Sequence, residues 1–89
     1  MKPTIEYSEF VTEHGMDLEV KGEVFSEPIK RMTHSSEEFY TRVTVINVDT
    51  KVPVNTVYFK KENDEDTLKL LVNGIKNEPK YLKNESITG

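Results

Sequence analysis

The sequence predicts a mainly β fold: a small, strongly curved antiparallel sheet or small barrel, completed by one short helix. Three observations predict it. Residues 17–25 alternate apolar and polar side chains, residues 39–48 are dense in β-branched and aromatic types, and residues 63–75 change to a helical period. Alternation at period two marks a half-buried strand, whereas apolar residues at i, i+3, i+4 and i+7 mark one face of a helix.

Taken in order, residues 4–11 alternate imperfectly and are expected to form an edge strand or an extended arm within residues 1–16. His14-Gly15-Met16-Asp17 reads as a turn, with Gly15 free to take positive φ. In the first clear strand, Leu18, Val20, Gly22 and Val24 share one face, and Glu19, Lys21, Glu23 and Phe25 share the other. Gly22 weakens a strand unless the chain bends there or something packs close above it. Pro28 interrupts the strand, and residues 30–38 form a polar loop.

In the second strand, Phe39, Thr41, Val43 and Val45 fall on one face, with Tyr40, Arg42, Thr44 and Ile46 on the other. Asp49-Thr50-Lys51 is a tight connection to a third strand at 52–60, whose alternation slips near Asn55-Thr56 and so predicts a bulge. Leu68, Leu71, Val72 and Ile75 form the helix face. Asn63 or Asp64 caps its start, and Gly74 is the expected C-terminal stop. The tail, 76–89, is polar and expected to be flexible, with Pro79, Tyr81, Leu82 and Ile87 as its anchors.

The chain has 89 residues, which fits a single domain. A domain of this size buries roughly 60–65% of its unfolded surface, enough for one thin core. Without cysteine, neither a disulfide nor a thiolate metal site can form. There is no signal-peptide pattern and no apolar run of bilayer length, so no membrane role and a cytoplasmic location are expected. The net charge is −4, concentrated at the start: residues 1–20 carry one lysine against Glu6, Glu9, Glu13, Asp17 and Glu19. An acidic total opposes strong duplex binding, which depends on neutralising phosphates, but permits a local basic groove.

The run from Leu18 through Gly22 to Pro28, followed by a polar loop and Glu38-Phe39-Tyr40, resembles the start of the bacterial and phage single-stranded-DNA-binding proteins. Lys80-Tyr81-Leu82-Lys83 is similar to a Tyr-Leu-Lys segment ahead of that family's fourth strand. The resemblance covers about residues 17–60, with 80–89 matching loosely, and implies a five-stranded oligonucleotide-binding (OB-like) barrel. The sequence departs from the pattern in three ways. It ends where the fourth strand would begin, so a complete barrel requires residues 4–11 or a second chain. It has no tryptophan, and its second-strand alternation is shifted by one residue after Tyr40.

The resemblance and the placing of aromatic beside basic residues together predict a non-catalytic module that binds single-stranded DNA or RNA. Arg31, Tyr40, Arg42, Tyr58 and Lys60 are the expected contacts. Tyrosines stack on bases, at roughly 1–3 kcal/mol each, while cations track the backbone. The rival expectation is a small acidic inhibitor or adaptor of phage or mobile-element type. It would bind a host protein through Glu6, Glu9, Glu13, Asp17 and Glu19 or by adding a strand. Exposed edges and a thin core also invite a homodimer.

No catalytic residue, cofactor or metal is expected. His14 and His34 are isolated, and Ser35 and Ser36 lack the surroundings of a nucleophile. The acids Glu62, Asp64, Glu65 and Asp66 lack calcium-loop spacing and suit a helix N-terminus.

Overall fold

The computed structural model describes residues 2–26 and 39–83, together with the backbone of Ile29–Lys30 and Ser35–Ser36. Its main element is a four-stranded antiparallel meander. The strands β1 (Ile5–Glu13), β2 (Met16–Phe25), β5 (Tyr40–Asn47) and β6 (Pro53–Phe59) lie in that order across the sheet. The short strands β3 (Ile29–Lys30) and β4 (Ser35–Ser36) pair with each other as a separate ribbon. The helix α1 (Glu65–Lys76) and a 3₁₀ turn at Pro79–Leu82 follow. The sheet is open: among the described residues, β1 and β6 are its outer strands and do not meet.

The register assigns every strand residue to a face. Rows on the helix side run Ile5–Val24–Thr41–Phe59, Tyr7–Gly22–Val43–Val57 and Glu9–Val20–Val45–Asn55. Leu68, Val72 and Ile75 of α1 close over these rows, and all three are buried. Gly22 is what lets the helix approach. A Cβ there would lie 2.6 Å from both Leu68 Cδ1 and Val72 Cγ2. The absent side chain therefore makes room for two core side chains of the helix.

The β1–β2 hairpin turns on His14 and Gly15, both at positive φ (53° and 74°). Such a pair matches the right-handed twist of the flanking strands. The expected bulge is present: the β5–β6 register shifts between Val45 and Ile46, leaving Val54 as the extra residue. Asp64 caps α1 by accepting a 2.8 Å bond from the Thr67 N–H, and this bond holds its carboxyl below the ordinary value.

Gly74 is not the stop that the sequence predicts. The helix runs on to Lys76, and Asn77 ends it by donating its N–H to the Asn73 carbonyl at 3.1 Å. Ile75 lies inside the helix, where its burial in the core favours continuing past Gly74 over the stop that glycine offers. Leu82 of the 3₁₀ turn joins the core, so the sequence after the helix is anchored at least to that point. No helix among the described residues is long and apolar enough to cross a membrane.

Candidate binding face

The face opposite α1 holds three of the five predicted contact residues: Tyr40, Arg42 and Tyr58. One row across the four strands reads Glu6–Glu23–Arg42–Tyr58. On one side of it lies the Phe25–Tyr40 pair. On the other lie Ser8–Lys21–Thr44–Thr56 and then Phe10–Glu19–Ile46–Pro53.

Tyr40, Arg42 and Tyr58 therefore share a face, as the sequence predicts. The Tyr40 and Tyr58 rings are tilted, with centroids 6.2 Å apart, while Tyr40 stacks on Phe25 at 4.7 Å. Phe25 is buried despite facing away from the helix; the Tyr40 ring lies against it and the Arg42 guanidinium sits 5.1 Å above it. Within the strands of this face, Tyr58 and Phe10 are the exposed aromatics, at 63% and 65% exposure. They stand on the two outer strands, at opposite sides of the face.

Arg42 is not a free cation. Its Nη2 and Nε donate to the same Glu23 oxygen at 2.7 and 3.2 Å, and Glu23 is buried. The hydrogen bond to Glu23 is the main cause that raises the Arg42 pKa above its ordinary value; burial opposes it. The positive charge is thus fixed and neutralised in place. Lys21 lies 3.6 Å from Glu6 on the same face. Within the four strands this face carries the carboxylates Glu6, Asp17, Glu19 and Glu23 against the cations Lys21 and Arg42. Its balance is acidic.

Lys60 follows β6 in a bend, is exposed, and lines a shallow cleft with Tyr58 and Lys61 beside Asn63, Thr67 and Leu71 of the helix start. A buried chain of hydrogen bonds holds this corner. Asn63 donates to Thr41 Oγ1 at 2.7 Å, and Thr41 Oγ1 donates to the Lys61 carbonyl at 2.9 Å. Reading Asn63 as a helix cap misses this role; the polar Thr41 among Val43 and Val45 on the core face was the available signal. Arg31 lies outside the described residues, as do the side chains of Lys30, His34, Ser35 and Ser36.

The acids near the N-terminus do not form one patch. Glu6, Asp17 and Glu19 face the open side, whereas Glu9 and Glu13 face the helix side. There Glu9 accepts from Tyr7 and pairs with Lys76 at 3.3 Å. The acidic run at 64–66 sits at the start of α1, where the helix dipole favours it. Among the described residues, no group of three or more His, Asp or Glu side chains could hold a metal ion. No family model matches the chain, and neither a curated protein nor a solved structure matches it.

Proposed function

We propose that this protein is a non-catalytic binding module that docks a basic surface of another protein on the open face of its sheet. The observation that carries this reading is the Arg42–Glu23 pair. It converts the one cation among the tyrosines into a neutral, hydrogen-bonded support and, with Lys21 beside Glu6, leaves Asp17 and Glu19 as the charge excess of the face. Exposed aromatics within a surface of net negative charge suit protein recognition, where tyrosine and phenylalanine act as anchors and charge selects the partner.

Single-stranded nucleic acid is a second reading, favoured by the closeness of Tyr40 and Tyr58 and by Lys60 and Lys61 beside them. Its weakness is electrostatic, because a strand crossing the face would pass Glu6, Glu19 and Asp17. The barrel implied by the resemblance would also need a bridge between the edges of β1 and β6, whereas the protein-docking reading uses the sheet open.

Fluorescence anisotropy of labelled oligothymidine separates the two. The protein-docking reading expects no saturable binding at low salt up to tens of micromolar protein, roughly the affinity range of weak specific complexes. Saturable binding that falls with salt and disappears in Tyr58→Ala would replace it with the nucleic-acid reading.

A further inference from the structure

We infer that the outer edge of β1 accepts an extended basic segment of the partner as an added strand. The inference rests on the protein-partner reading and adds where the partner's chain is held.

The register fixes which backbone groups are free. Val48 N–H bonds the Asp17 carbonyl at 2.9 Å, so the odd-numbered residues of β2 bond to β5 and its even-numbered residues bond to β1. Through the β1–β2 pairing, Ile5, Tyr7, Glu9, Val11 and Glu13 turn their main-chain groups inward. Glu6, Ser8, Phe10 and Thr12 turn theirs outward, where no described backbone group meets them.

Among the described residues, this edge is guarded by charge alone. Its pairing with β2 is unbroken over all 9 residues, and the strand holds no proline, lysine or bulge. The opposite edge differs: β6 begins at Pro53, carries the bulge and runs into Lys60 and Lys61. Charge selects the occupant. Every charged residue of β1 is a glutamate: Glu6, Glu9 and Glu13. A second copy would bring two such sets to one seam, whereas a strand with alternating lysines would answer Glu6 on the open face and set its apolar residues on the helix side, beside Tyr7 and Val11.

The test uses the full chain and a synthetic octapeptide of alternating lysine and valine, followed by NMR. The expected result is new exchange protection at the Glu6, Ser8, Phe10 and Thr12 amides, with Tyr7, Glu9 and Val11 unchanged. Two further peptides are N-methylated, one at the valines and one at the lysines. Only one set of amides faces β1, so one methylated peptide should bind and the other should fail. Ser8→Pro removes an outward N–H and should weaken binding roughly tenfold, the worth of one or two lost backbone hydrogen bonds. If that variant does not fold, the methylated pair still decides.

Equal binding of both methylated peptides overturns the inference, as does edge protection that grows with protein concentration without peptide, the mark of a second copy. Shifts confined to Glu19, Tyr40 and Tyr58 overturn the edge site and leave the face reading standing. No binding anywhere at millimolar peptide overturns both.

Discussion

Replacing Glu23 by glutamine tests the pair on which the reading of the face depends. Glu23→Gln keeps the side-chain shape and removes the charge that fixes Arg42. Glu23 is 8% exposed, whereas the Arg42 side chain is 32% exposed. Breaking a fully buried pair costs about 3–5 kcal/mol and breaking an exposed one about 0–1. With two hydrogen bonds to a charged oxygen and one partner a third exposed, the expected cost is about 1.5–3 kcal/mol. At about 4–8 °C per kcal/mol for a domain of this size, Tm should fall by roughly 6–24 °C. Urea unfolding of Glu23→Gln, Arg42→Met and the double variant measures the coupling. The double variant should be less damaged than the sum of the singles by at least about 1 kcal/mol. Additivity within about 0.5 kcal/mol would refute the claim that Glu23 neutralises and holds Arg42. In the same series, Glu23→Gln should bind oligothymidine better than the parent, because the arginine is released.

The remaining predictions concern the frame that presents the face. Gly22→Ala and Gly74→Ala should have opposite signs. At Gly22 the new methyl meets Leu68 and Val72 at 2.6 Å, an overpacking that costs about 1–3 kcal/mol. At Gly74 it meets nothing within 4 Å on a helix surface, so alanine should stabilise by about 0.5–1 kcal/mol. Urea midpoints moving in the same direction would contradict the packing. Asp64 gives a pH dependence. Its carboxyl is lowered in the fold from 3.8, so it stabilises α1 above that pH, and the contribution is lost as pH falls through the lowered value. Asp64→Asn, which keeps a capping oxygen, should lose less stability than the parent between neutral and acid pH. Identical acid melting curves would show that the cap carries no charge effect.

Period-two alternation placed β2 and β5 and told their faces apart, because a strand residue's side is fixed by its parity. Gly22 was legible as a close approach, although only the structure shows that helix side chains fill the space. The helix stop at Gly74 was misread because local propensity favours glycine at an end, while burial of Ile75 is a tertiary gain with no local signature. The co-facing of Tyr40, Arg42 and Tyr58 followed from assuming that consecutive strands pair. The neutralising of Arg42 did not, since Glu23 and Arg42 are 19 residues apart and meet only through the β2–β5 register. That single contact changes the chemistry of the face, and only the register reveals it.

The most direct measurement is site-specific photocrosslinking in cells that express the protein. A benzophenone amino acid replaces Phe10 or Tyr58 on the open face, or Leu70, which is 73% exposed on the helix. Docking on the sheet predicts protein adducts with a basic surface from positions 10 and 58 that disappear in Glu19→Lys, and none from position 70. Adducts from position 70 alone, or nucleic acid in the adducts from position 58, would contradict it.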